Sequence, residues 1–205
     1  MLSAVESRSV FRSGLPRGLR PVIGLGGIVL CALLTGCGTL RAVSNLEDGA
    51  GTEALRMWSH WVDSGGDIAS ATTWERKVAP GVTVEQIEQA LASIAAEYNL
   101  RAVGELSPAK DLPLPAGQRP RFLKVYSYCS PTVALRMLEF SPAMAAYLPC
   151  RVTLLEREDG LWLYTLNMDM MTRMGRKLPP ELKAEAGRVR DGIRAMMDRG
   201  SAGEF

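Results

Sequence analysis

The sequence predicts an α+β fold, a mostly antiparallel sheet backed by helices, in the order β-α-β-β-α-β-β followed by C-terminal helices. Three observations predict it. Apolar and polar residues alternate over short stretches near residues 74–78, 100–106, 122–129, 150–155 and 161–166, the two-residue period of strands. Between them, apolar residues recur every three or four positions, the period of helices packed on one side. Asp159-Gly160, between the last two strands, is a two-residue hairpin signal.

Residues 1–36 read as a lipoprotein signal peptide rather than as fold. Arg8, Arg12, Arg17 and Arg20 make a basic start, and residues 22–34 are an apolar run shorter than the ~20 residues that cross a bilayer. The run ends in Leu34-Thr35-Gly36-Cys37, which resembles a bacterial lipobox. The Cys37 thiol would be the nucleophile that takes a diacylglyceryl group, and small neighbours let a peptidase reach the backbone. An ordinary secretory signal with an incidental cysteine is the alternative. The agreement of basic start, apolar length and LTGC favours lipidation. The expected product is a palmitate-bearing, membrane-anchored lipoprotein held in lipid through acylated Cys37. Gly38 in place of aspartate points to the outer membrane, with the domain facing the periplasm.

The precursor carries a formal charge of +2, but residues 1–36 hold four arginines and one glutamate, so the mature chain is near −1. No basic patch argues for nucleic acid.

Residues 37–70 read as a lipid-anchored tether with a short helix over 52–62. Leu55, Trp58, Trp61 and Val62 can share one side of it. That side could lie at the membrane surface with tryptophans at the headgroup level. Packing against the flank of the domain is the preferred reading for so short a helix. His60, the only histidine, is expected to have no role.

The domain spans 71–175. After a first strand and the Pro80-Gly81 turn, residues 82–99 form the best specified helix. Thr83 and Gln86 make a capping box, Val82 can staple onto Ile87, and Val84, Ile87, Leu91, Ile94 and Tyr98 give one core-facing stripe. Residues 107–120, with four prolines, read as a connecting loop. Phe122 to Cys129 alternates, with Leu123, Val125, Ser127 and Cys129 on one face. Ser130 and Pro131 then start a helix, and Ser141-Pro142 stops it. Leu148-Pro149 returns the chain to an extended form. Residues 167–176 are dense in methionine: Met168, Met170, Met171 and Met174. Such a cluster can bind Cu(I) through thioethers, but packing into the sheet edge is preferred. In the last segment, 176–205, Pro180 starts a helix with Leu182, Ala186, Val189, Ile193 and Met196 as its stripe, and Gly200 follows its end. Gly187 and Gly192 should each weaken that helix by ~1 kcal/mol relative to alanine.

Tyr128-Cys-Ser-Pro131, Leu148-Pro-Cys-Arg-Val152 and the Glu156 to Gly160 hairpin together resemble the signature of a bacterial and archaeal family known as domain of unknown function 302. The resemblance covers residues 72–174. The family often has Asn-Pro after its last strand, where this chain has Asn167-Met168. The resemblance implies a small α+β domain with a mostly antiparallel sheet backed by helices, and it implies no activity.

Cys129 and Cys150 are the only cysteines left for chemistry in the domain. Three readings stay open. They could form a structural disulfide, provided the return segment brings the chain back to the start of the helix. They could be a redox or soft-metal pair, with the helix dipole and Arg151 lowering thiol pKa values. They could be small buried hydrophobes in phase with Val125 and Val152. No P-loop, GxGxxG, GxSxG, HExxH or zinc-ligand set is present. No catalytic residue, cofactor or metal is therefore expected. The sequence favours a membrane-tethered binding or accessory module, with a thiol-dependent redox or soft-metal-handling protein as its rival.

Overall fold

The capping box at Thr83 forms as expected. Thr83 Oγ1 accepts from the Gln86 amide, and the Gln86 side chain accepts from the Thr83 amide at 2.9 Å. The helix it starts, and the rest of the fold, come from a computed structural model that describes Thr39, residues 41–108 and residues 120–205. The predicted signal peptide, the lipidation site Cys37 and most of the Pro-rich loop lie outside the described residues. Residues 45–205 form one compact unit. In the preceding unit, the described residues make a helical turn in which Ser44 Oγ donates to the Arg41 carbonyl.

The elements of the compact unit are α1 (Ala50–Asp63), α2 (Ile68–Thr72), β1 (Thr73–Lys77), α3 (Val84–Glu97), β2 (Arg101–Leu106), β3 (Leu123–Cys129), α4 (Pro131–Phe140), a 3-10 helix (Pro142–Tyr147), β4 (Cys150–Arg157), β5 (Gly160–Leu166), α5 (Met168–Arg173) and α6 (Pro180–Ala202). From β1 onward this is the predicted order. The five strands form one antiparallel sheet in the spatial order β1-β5-β4-β3-β2. Helices α3 and α6 lie on one face of it. Ile87, Leu91 and Ile94 of α3 and Ile193, Met196 and Met197 of α6 are sealed against Val152, Leu154 and Leu163 of the sheet.

The hairpin turns one residue earlier than its signal suggests. Arg157 pairs with Gly160, so Glu158 and Asp159 make the turn and Gly160, at φ +123°, opens β5. That backbone is open to glycine and strained for other residues. Asp159 accepts from Lys77 Nζ and from Trp162 Nε1, both at 3.0 Å, which holds the tip against β1.

The predicted face of β3 is corrected. Tyr126 and Tyr128 point into the core, and Val125 and Cys129 do not share their phase. The register decides this: Tyr126 pairs with Val152, which is fully buried beneath α3 and α6. Lys124 shares the phase of the two tyrosines. Its ammonium donates to Glu88 Oε1 of α3 at 2.7 Å and pairs with Glu105 at 2.8 Å, and Tyr126 Oη donates to the same Glu88 oxygen. A polar rim thus closes the edge of an apolar layer.

This rim has a pH signature. Burial, then the Glu105 and Glu88 charges, push Tyr128 up to about 12. Burial and the Glu88 hydrogen bond raise Tyr126. The Glu105 and then the Glu88 hydrogen bonds raise Lys124. Each group holds its proton more tightly folded than unfolded. The stability they contribute is intact below their ordinary pKa values near 10 and declines as pH rises through the folded ones. Urea midpoints are expected to be flat from about pH 7 to 9 and to fall by about pH 11. A flat profile to pH 11 would contradict this arrangement.

Helix α6 runs through Gly200, which sits inside it against Leu91 and Leu163, and ends at Gly203 in the left-handed region (φ +71°). Gly200 is therefore a close-packing position rather than the stop signal the sequence suggested. The predicted boundary at 175/176 coincides with no break in packing, because Leu182, Ile193, Met196 and Met197 belong to the same core as the sheet. Arg136 of α4 reaches Glu185 of α6 at 2.6 Å and fastens the two helices.

From Asn45 onward the chain is stitched to the domain and is not a free tether. Lys177 N donates to Asn45 O at 2.7 Å and Glu47 N to Gly175 O at 3.1 Å. The buried Glu47 carboxylate accepts from Leu178 N at 2.8 Å and Lys183 Nζ at 2.6 Å. The expected packing of α1 by its apolar stripe is also corrected. Ala50 and Glu53 are buried, whereas Leu55, Trp58 and Val62 are exposed at 71, 60 and 54%. The reason is polar: Glu53 is only 1% exposed and takes the inward position by bonding Asn167 Nδ2 at 3.0 Å and Arg56 at 2.9 Å. With α1 turned that way, its apolar side faces outward.

Candidate functional site

The site lies where β3 ends and β4 begins. Ser130 occupies the N-cap position of α4 without a side-chain capping bond, and Pro131 is its first residue. Ten helical residues and the 3-10 helix carry the chain out, and Leu148-Pro149, joined by a cis peptide, brings it back. Because β3 and β4 are antiparallel, Tyr128 pairs with Cys150. Cys129 and Cys150 are thus brought to the same end of neighbouring strands, the geometry that the sequence left open. Both thiols are free and partly buried.

The cysteines line one apolar cavity of about 60 Å³. Val133, Ala134 and Met137 of α4 form one wall, and Met144, Tyr147 and Leu148 of the return segment form another. Met168, Met171 and Thr172 of α5 and Ala186 and Val189 of α6 complete it. No carboxylate and no nitrogen base lines it. A second, wetter cavity of about 240 Å³ adjoins it and shares Tyr147, Cys150, Met168 and Met171 as a common wall. Thr73, Arg151, Thr153 and Tyr164 give that cavity its polar side.

Helix α5 presents its methionines through Asn167. The Asn167 side-chain oxygen accepts from Asp169 N at 2.9 Å and Met170 N at 3.1 Å, capping the helix. Its amide nitrogen donates to the buried Glu53 of α1. Buried Asp169, one residue into α5, pairs with Arg194 of α6, with Arg173 at 3.5 Å and with Arg190 at 3.8 Å. The helix is therefore fixed at both of its buried polar residues. Of the four methionines singled out in sequence, Met168 and Met171 reach the cavity and Met170 and Met174 are not on its wall. Met137 and Met144 are also on it. Neither belongs to the methionine-dense stretch of residues 167–176.

The expected lowering of the thiol pKa values is corrected. Burial raises Cys129. Burial, with a smaller contribution from Cys129, pushes Cys150 up to about 11 and outweighs Arg151, whose side chain is exposed. Apolar surroundings disfavour the charged thiolate more than the helix start favours it. At neutral pH both groups are protonated and weakly nucleophilic. Alkylation of Cys150 in the folded chain should rise about tenfold per pH unit up to pH ~10 without levelling off. A plateau already near pH 8 would show an activated thiol instead.

The other residues weighed for chemistry are dispersed. His60 is exposed on α1. Glu156 accepts from the Phe122 amide, and Glu158 and Asp159 occupy the hairpin turn. Among the described residues, no three His, Cys, Asp or Glu side chains gather as a metal-binding group. No helix among them is long and apolar enough to cross a membrane.

The sequence profile of the family described as "Domain of unknown function DUF302" matches residues 74–200, more than half of the chain. This span takes in α6, which the shorter span read from the sequence motifs left out. One solved structure similar to the chain is that of an uncharacterized conserved DUF302 protein from Bacillus stearothermophilus. It shares 17% identity at a TM-score of 0.49, over 62% of this chain and 97% of that one. No curated protein matches the chain.

Proposed function

We propose a binding rather than a catalytic role for this chain, which belongs to the domain of unknown function 302 family: a lipid-anchored, periplasm-facing module that holds a small guest in the cavity between β3, α4 and β4. The cavity carries the reading. It is apolar, it is built from six separate elements, and no group on its wall is suited to general acid–base work at neutral pH. Buried, protonated thiols favour holding a guest over turning one over.

Xenon, an apolar atom small enough for such a cavity, tests this on the full mature chain. It should bind saturably, and Ala134→Trp, which fills the cavity from α4, should abolish binding while leaving the far-ultraviolet circular dichroism unchanged. Xenon binding that survives the filled cavity would overturn the reading. So would a Cys129–Cys150 bond that forms and is reduced reversibly in the envelope, because that would favour the redox rival.

The anchor rests on the lipobox-like Leu34 to Cys37 stretch and on α1. Helix α1 begins thirteen residues after Cys37, within ~45 Å of fully extended chain. Its exposed Leu55, Trp58 and Val62 then have the bilayer surface within reach, and tryptophan suits the headgroup level. Labelled palmitate should appear on the wild-type chain and be lost in Cys37→Ser. A mature chain that keeps residues 1–36 would sink the anchor.

A further inference from the structure

We propose that the cavity is a site for a soft monovalent d10 metal ion, of which cuprous copper is the representative, held by the thiols of Cys129 and Cys150 and by thioethers from Met137, Met144, Met168 and Met171. The inference rests on the binding-module reading and names the guest.

Six sulfur side chains from five stretches of chain, β3, α4, the 3-10 helix, β4 and α5, line one cavity. Ordinary core packing does not select sulfur, since leucine and valine fill such space with better defined rotamers. The wall has no imidazole and no carboxylate, so it offers nothing to magnesium or calcium and only two thiolates toward the tetrahedral set that zinc takes. Thiolate and thioether together select Cu(I) among the common ions. At about 60 Å³ the space suits an ion and not a large organic cofactor.

Charge balance points the same way. One monovalent ion and one thiolate are neutral together, which an apolar cavity tolerates, and thioethers add ligands without adding charge. In binding, each coordinating thiol exchanges its S–H bond for an S–metal bond and releases one proton to solvent, with no change in oxidation state. If both thiols coordinate, the complex carries one negative charge beside Arg151. Flexible methionines can turn onto the ion without backbone movement. Cys150, Met168 and Met171 also border the wetter neighbouring cavity.

The test is an anaerobic titration of the full mature chain in detergent with Cu(I) held by a chromogenic chelator, followed by X-ray absorption at the copper edge. One Cu(I) per chain with a sulfur-only shell is expected. Met137→Leu and Met168→Leu, which keep size and apolar character, should each weaken binding about tenfold. The Cys129→Ser/Cys150→Ser double variant should lose at least ~100-fold, and a tenfold excess of zinc should not compete. Cu(I) affinity unchanged in both the methionine and cysteine variants would overturn the proposal, as would nitrogen or oxygen in the first shell. If xenon binds and Ala134→Trp excludes it but Cu(I) does not bind, the binding module survives and the metal does not. If neither binds, both readings fall.

Discussion

Asn167→Ala is expected to cost about 2–4 kcal/mol, lowering the melting temperature by roughly 5–15 °C. Two losses combine. Removing the side-chain oxygen uncaps α5, ordinarily ~1 kcal/mol. Removing the amide leaves one oxygen of Glu53 without its donor inside the protein, ~1–3 kcal/mol more. Glu53 is 1% exposed, so water cannot replace that donor without opening the contact between α1 and α5. Asn167→Asp separates the two effects. It keeps the capping oxygen but sets a second carboxylate beside Glu53. It should therefore destabilise through the repulsion between two carboxylates while the cap stays in place. Thermal melts at pH 7 check both variants. An Asn167→Ala melt within ~2 °C of wild type would mean that α5 and α1 are not held through this residue. Because Met168 and Met171 follow the cap in the same helix, the alanine variant should also lose part of the xenon or metal binding of the cavity.

What was legible in the sequence is what local chemistry writes. The Thr83 capping box, the proline-started helices, the alternating strands and their order all appear in the structure, because each depends on residues near one another in the chain. What was not legible depends on pairing. The face of β3 was misassigned because the ion pairs that let Lys124 lie against α3 come from Glu88 and Glu105, on other elements. The outward stripe of α1 had the same origin: Glu53 takes the inward position through Asn167, which lies on the far side of the domain sequence. The proximity of Cys129 and Cys150 could only be posed as a condition on the return segment, and the antiparallel register of β3 and β4 supplies the answer. The sulfur-lined cavity was half visible. A run of methionines in α5 drew attention, but sequence density selected Met170 and Met174, and a wall built from several elements selects Met137 and Met144.

Gly192 is where propensity and packing give opposite answers, so its substitution is the second decisive test. By helix propensity alone, alanine should stabilise α6 by ~1 kcal/mol. In the fold, a Cβ at Gly192 would stand 2.9 Å from both Cβ and Cγ of Tyr98 and 3.1 Å from Leu100 Cδ1. Neither neighbour is the free end of a long side chain. Tyr98 caps α3, and Leu100 is buried directly before β2. The methyl group would have to push α6 and the end of α3 apart, loosening the Ile87, Leu91, Ile193 and Met196 layer between them. Overpacking of this kind costs ~1–3 kcal/mol and should exceed the propensity gain. Gly192→Ala is therefore expected to lower stability, and Gly192→Val to lower it further. Gly187 is the control on the same helix. A Cβ there meets only the far end of Arg190, at 4.0 Å, so Gly187→Ala should raise stability by about 0.5–1 kcal/mol. Urea unfolding of the two alanine variants should therefore move in opposite directions from wild type. If both stabilise, α3 and α6 do not approach as closely as their contact requires, and the apolar layer that carries the cavity is built differently.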